Sequence, residues 1–234
     1  MRMNYQVEEV VRKRYSVRTY EERELETALI EEVKEYIKGR SNPFGGNVRF
    51  FSFEMESVEQ GEKIGTYGVL KGIQYFFGTA IKKEKKVEDL LALGYEFEDV
   101  VLYLESRGLG TCWLGGTFER KKVITQMELA DNEIMPAISP YGYAKDQKRI
   151  TEVAMRKSIK ADKRVNAEDI FFETVFGKPL DVKNDRCSLP LEMVRLAPSA
   201  SNKQPWRVIK KGSEYHFYEA KEEGYSEERL GFDI

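Results

Sequence analysis

Three stretches of the chain carry side chains whose types and spacing suit ligand chemistry. In RYSVR, Arg14, Ser16 and Arg18 recur at every second residue. In an extended segment that spacing puts all three on one face. Two guanidiniums and a hydroxyl on one face make a phosphate clamp, because Arg offers forked donors and Ser one more. The same pattern fits an exposed polar strand with unrelated arginines. In APSASNKQPW (197–206), Pro198 and Pro205 restrict the backbone while Ser199, Ser201, Asn202 and Gln204 offer polar groups. Such a rigid loop suits a planar heterocycle with carbonyl and ring-nitrogen edges, or an ordinary capped helix–loop–strand junction. Trp206 anchors that loop in the core or walls the ligand. GLGTCWLGG (108–116) is the third stretch. Its glycines let the backbone approach a ligand and present N–H groups, or form a tight turn packed on the core. It is neither GxGxxG after a strand nor a Walker loop.

Composition removes competing chemistry. The chain has 234 residues, 41% of them hydrophobic and 33% charged. That length suits one large domain or two joined small ones, with a core that needs no disulfide or metal staple. Basic and acidic residues number 38 and 40, giving a net charge of −2. This balance argues against nucleic acid, which needs a basic excess. One histidine, His216, and two cysteines, Cys112 and Cys187, leave no multi-histidine or zinc-cluster site. Cys112 reads as a small core residue, and His216 as a strand residue at a sheet edge. No apolar run is long enough to span a membrane. The first residues carry acids and no long apolar stretch, unlike a signal peptide; a cytoplasmic location is expected. A chain so poor in catalytic side chains fits a cofactor-borne reaction.

The elements that position these stretches follow from periodicity. Residues 4–14 give a rough helical face, and 14–20 an extended or turn segment. Leu25, Leu29, Val33 and Ile37 recur every fourth position, predicting an amphipathic helix over 23–38 that ends in the turn chemistry of Gly39 and SNPFGG. Residues 48–54 alternate as a strand, and 73–81 read as a central strand buried on both faces. A glycine-bearing loop, with Gly61, Gly65, Gly68 and Gly72, lies between them. A long helix is expected over 84–107, a shorter one over 118–129, and a strand broken by two prolines over 134–143. The basic stretch 145–164 holds eight basic and three acidic residues and reads as solvated surface. Residues 167–176 and 187–195 are expected as helices, and 206–211 with 214–220 as a hairpin. The second half thus repeats the first, an incomplete internal duplication. Interleaved helices and strands make the fold α+β.

Together the three stretches resemble the FMN-dependent nitroreductase family. R-x-S-x-[RK] is matched by Arg14, Ser16 and Arg18, and P-S-x-x-N-x-Q-P-W by Pro198 to Trp206 without a gap. G-L-G-x-x-W-x-G-G is matched by Gly108 to Gly116, and G-Y-[PA] by Gly142 to Ala144. The order departs from that of ordinary members, which place the P-S-x-x-N segment soon after R-x-S-x-R. Here that junction is SNPFGGNVRF, and the intact motif lies in the second half. The arrangement resembles a fused, partly degenerate tandem, with a nitroreductase-like half over 1–164 and a partial second half over 165–234. Ordinary members are homodimers with flavin at the interface, so the resemblance implies a pseudo-dimeric monomer or a further homo-oligomer.

The resemblance implies a fold with a central mixed or antiparallel sheet flanked by helices, and FMN as cofactor. Arg14, Ser16 and Arg18 would hold the ribityl phosphate. Arg164, at the start of the VNAEDIFF helix, aligns with a late phosphate-binding arginine. Pro198, Ser199, Ala200 and Asn202 would line the isoalloxazine. Leu114, Gly115 and Gly116 would place backbone N–H groups near flavin N5 and O4. The implied activity is hydride transfer from NAD(P)H to flavin N5, then reduction of a small electron-accepting substrate such as a nitroaromatic or quinone. No catalytic side chain and no metal is expected. The alternative readings are a flavin-binding carrier, sensor or redox store without turnover, and a structural protein with an empty pocket.

Overall fold

A computed structural model of the chain describes residues 5–54, 70–115 and 128–221. These divide into two compact units that meet in sequence at Glu152 and Val153.

The first unit opens with α1 (Val7–Lys13), whose Glu8 and Glu9 at the start and Arg12 and Lys13 at the end complement the helix dipole. Helix α2 (Thr27–Lys38) buries Val33 and Ile37, two members of its four-residue apolar stripe. Strands β1 (Arg49–Glu54) and β2 (Tyr75–Lys82) follow, then α3 (Val87–Ser106), β3 (Gly110–Thr111), β4 (Glu133–Ile134) and β5 (Ile138–Gly142). The strands form an antiparallel sheet of order β1–β2–β5–β3, with β4 beside β2. Seven of the eight residues of β2 are buried, as expected for a central strand covered on both faces. Successive side chains point to opposite faces. Tyr75 and Phe77 therefore pack with Val33, Ile37, Phe97, Val101 and Leu104 from α2 and α3. Phe76 packs on the other face with Cys112, Leu114, Met135 and Ile138. The expected strand over 134–143 is split into β4 and β5, with Pro136 between them and Pro140 paired opposite Phe76.

The unit boundary falls within α4 (Ile150–Ser158). The second unit contains β6 (Phe171–Glu173), α5 (Ser188–Leu196), β7 (Trp206–Lys211) and β8 (Glu214–Glu219). Its sheet has the order β6–β7–β8. The expected hairpin is β7–β8, antiparallel from Trp206↔Glu219 to Lys211↔Glu214, and His216 lies in its edge strand. The helix expected over 167–176 is not formed. Ala167–Asp169 make one 3-10 turn, and Phe171–Glu173 pair in parallel with Val208–Lys210 of β7. Ile170 and Phe171 are fully buried beside Leu191 and Val208, and consecutive bulky apolar residues suit a strand better than a one-sided helix. The second unit runs from α5 through residues 197–205 to β7, without the opening helix that the expected duplication called for. The helix expected over 118–129 lies mostly outside the described residues, as do Gly61, Gly65 and Gly68. Among the described residues no helix is long and apolar enough to cross a membrane.

Candidate functional site

The RYSVRTY segment is extended and lies along the edge strand of the first sheet. Ser16 forms a parallel bridge with Thr111 of β3, and the Val17 N–H donates to the Thr111 carbonyl at 2.8 Å. Further along, the Tyr20 N–H donates to Lys71 O at 2.9 Å and the Lys71 N–H to Arg18 O at 3.0 Å. Gly110 makes this contact possible, since a Cβ there would stand 2.4 Å from Val17 Cγ2. Buried side chains complete the anchoring. Tyr20 Oη donates to Val17 O at 2.8 Å, and Thr19 Oγ1 donates to Oε2 of the buried Glu152 at 2.8 Å.

This anchoring brings Arg14, Ser16 and Arg18 near enough to the Cys112 thiol to influence it. Burial pushes that thiol up, while the charges of Arg18 and Arg14 and a hydrogen bond with Ser16 pull it down. The Cys112 side chain belongs to the core, as expected. The Arg14 side chain is 6% exposed, with Glu98 Oε1 at 3.8 Å. Arg18 is 9% exposed, and its Nη1 donates to Ser16 O at 3.2 Å. Among the described residues no carboxylate lies within ion-pair distance of Arg18, and the Arg14 fork makes no hydrogen bond to a protein acceptor. A buried guanidinium in this condition is costly unless an anion completes it. The pair and the Ser16 hydroxyl present donors whose chemistry would suit a phosphate.

Next to the clamp lies the 113–115 segment. Trp113 stacks at a tilt on Phe97, ring centroids 3.8 Å apart, and its Nε1–H donates to Glu98 Oε2 at 2.7 Å. The Leu114 N–H donates to Ile138 O at 2.9 Å and Leu114 O accepts from Ile138 N at 3.0 Å. Leu114 is therefore held in the sheet with its own N–H engaged. At Gly115 an added Cβ would meet nothing within 4 Å. Gly116 lies outside the described residues.

The second unit holds the 197–206 loop. Ser201, Asn202 and Gln204 all have positive φ, 48°, 57° and 53°, a conformation uncommon for such residues and kept only where surroundings enforce it. Here the enforcing segment is 160–165. Asn202 Nδ2 donates to Lys160 O at 2.8 Å and to Lys163 O at 3.0 Å. Arg164 Nη1 donates to Asn202 Oδ1 at 3.2 Å, and its Nη2 to Leu196 O at 3.2 Å. Gln204 Oε1 accepts from the Val165 N–H at 2.9 Å, and the Gln204 N–H donates to Ser199 Oγ at 2.8 Å. Trp206 packs on the core of this unit, so it anchors the loop. Arg164 and Asn202, far apart in the sequence, are thus joined. Arg164 does not start a helix, because β6 and its 3-10 turn replace the helix expected there. Pro198 and Ser199 are half-buried and Ala200 is exposed at the bend of the loop.

Sequence reasoning missed Glu98, Glu152 and the depth of Gln204's role. Glu98 is one acid among many on a long helix, and its partners lie in other elements. Only Gln204 carried a signal, since it stands inside the loop motif.

The fold is similar to a structure described as a putative nitroreductase from Thermotoga maritima MSB8, with a TM-score of 0.57 and 21% identity over 94% of this chain and 78% of that one. It is also similar to an oxidoreductase containing FMN, with a TM-score of 0.59 and 15% identity over 76% of this chain and 96% of that one. A nitroreductase family protein from Clostridium difficile 630 gives 0.51 and 19% over 76% and 100%. These likenesses show the α+β fold. Residues 6–228 match the family described as "Putative TM nitroreductase", and the chain belongs to that family. No curated protein matches it.

Proposed function

We propose that this chain is an FMN-dependent oxidoreductase that takes hydride from NAD(P)H and passes two electrons to a nitroaromatic, quinone or similar small acceptor. Membership of the nitroreductase family supports an oxidoreductase role. The observation that carries the cofactor is the buried pair Arg14 and Arg18 beside Ser16. Among the described residues Arg18 has no carboxylate partner and Arg14 has Glu98 at 3.8 Å, so a ribityl phosphate would add acceptors and repay their burial.

When bound, FMN supplies the hydride-accepting and electron-donating chemistry that no side chain of this protein offers. The protein's own part is placement. Arg14, Ser16 and Arg18 bind and orient the phosphate. The 113–115 segment, fixed by Leu114 in the sheet, lines the ring edge, with Gly115 and Gly116 as the donors proposed for it. In the second unit, Asn202 holds the loop of Pro198, Ser199 and Ala200 because its amide is engaged by Arg164 and two carbonyls. Positive charge at the clamp favours an anionic ligand.

The test is steady-state oxidation of NADH and NADPH by FMN-loaded protein with a nitroaromatic or quinone present. Acceptor-dependent turnover is expected. A protein that binds FMN but turns over neither nicotinamide is a flavin carrier or store and not this enzyme.

A further inference from the structure

Glu98 lies on α3, outside every stretch that the sequence marks, yet it touches both parts of the clamp region in the first unit. Its Oε1 is 3.8 Å from Arg14 Nε, and its Oε2 accepts from Trp113 Nε1 at 2.7 Å. The side chain is 26% exposed. Burial pushes its carboxyl up, against the pull of Arg14 and the Trp113 hydrogen bond. Glu105, about two helical turns further on, also feels the charge of Arg14 and is itself bridged to Lys13 at 3.8 Å. Arg14 therefore lies between two acids of α3, and only Glu98 also holds the segment that leads into Leu114 and Gly115.

We propose that Glu98 is a positioning residue of the phosphate clamp: one carboxylate sets the direction of the Arg14 fork by charge and the position of the 113–115 segment through Trp113. The inference rests on the flavin reading above. Without Glu98, Arg14 keeps only Glu105 as a counter-charge and its fork turns away from the phosphate. The two arms are separable by chemistry. Glu98→Gln keeps an oxygen that accepts from Trp113 and loses the charge that aligns Arg14. Glu98→Ala loses both.

The experiment compares FMN with riboflavin, which lacks the phosphate, as ligands of the full chain freed of flavin. Flavin fluorescence gives each Kd, and a thermal melt confirms folding. The preference of wild type for FMN reads the clamp. Glu98→Gln is expected to lower that preference roughly tenfold with riboflavin affinity within about twofold, since a charge-assisted bond to phosphate is lost or misaimed. Glu98→Ala is expected to lower the preference as much and to weaken riboflavin as well; if that variant does not fold, Glu98→Gln decides alone. A role in stability only would weaken both ligands equally and leave the preference in place. An unchanged preference, an equal loss for both ligands, or tighter FMN binding in Glu98→Gln would overturn the proposal. A wild type with no preference for FMN would refute the clamp itself, a result distinct from failure at Glu98.

Discussion

The guanidinium of Arg164 donates to the side-chain oxygen of Asn202 at 3.2 Å, while the nitrogen of the same amide donates to the carbonyls of Lys160 and Lys163. One side chain thus closes the 197–206 loop onto the segment before β6. It does so from a backbone with φ of 57°, which asparagine tolerates better than most residues. Asn202→Ala should lose the hydrogen bonds and add backbone strain, costing about 2–3 kcal/mol. Asn202→Gly should lose the same bonds without the strain and cost about 1 kcal/mol less. Urea denaturation of both variants checks the order; a glycine variant no more stable than the alanine one would refute this account of the loop.

Gly110 and Val17 set the distance between the clamp segment and the sheet. A methyl group at Gly110 would stand 2.4 Å from Val17 Cγ2, closer than packing allows. Gly110→Ala should therefore push residues 16–18 off β3, with a loss of about 1–3 kcal/mol typical of overpacking. It should also lower FMN affinity although it removes no ligand-binding group. Thermal melting with FMN titration reads both effects, and unchanged values for both would show that the segment is not registered by this contact.

Asp185 carries an acid-sensitive contribution to the stability of the second unit. Burial raises its carboxyl, but hydrogen bonds from Lys210, Tyr215 and the Cys187 N–H outweigh burial and lower it from 3.8 to about 2. A carboxylate depressed in the folded state stabilises above its unfolded value and loses that contribution as pH falls through its folded value. The shift corresponds to roughly 2 kcal/mol, present above pH 4 and lost between about pH 4 and 2. Asp185→Asn should remove this part of the acid dependence. Stability curves of the two proteins that stay parallel from pH 5 to 2 would contradict it.

Much of the frame is legible in the sequence. The stripe of Leu29, Val33 and Ile37 marks α2, the apolar run 73–81 marks β2, and the runs 206–211 and 214–220 mark the β7–β8 hairpin. These signals are local. What is not legible depends on distant partners. Residues 167–176 resemble the opening helix in composition, and only β7, far along the chain, offers the parallel edge that makes Phe171–Glu173 a strand. Helix α4 buries only Glu152, so it has no apolar stripe to betray it. At the site, residues 14–20 read as a turn or an extended segment, and the pairing with β3 makes them extended. The motif of residues 198–206 marks the loop but not its inward-turned Asn202. Glu98 has no local signal at all, because its meaning comes from Arg14 and Trp113 in other elements.

The central claim is that the buried arginine pair binds the phosphate of FMN. Its most direct measurement is the Kd of FMN for the full chain and for Arg18→Ala, with riboflavin as the control. FMN should bind more tightly than riboflavin, and Arg18→Ala should lose about ten- to hundredfold in FMN affinity, the worth of a charged hydrogen bond, with riboflavin little changed. A protein that binds FMN no better than riboflavin, or an Arg18→Ala variant with unaltered FMN affinity, would contradict it.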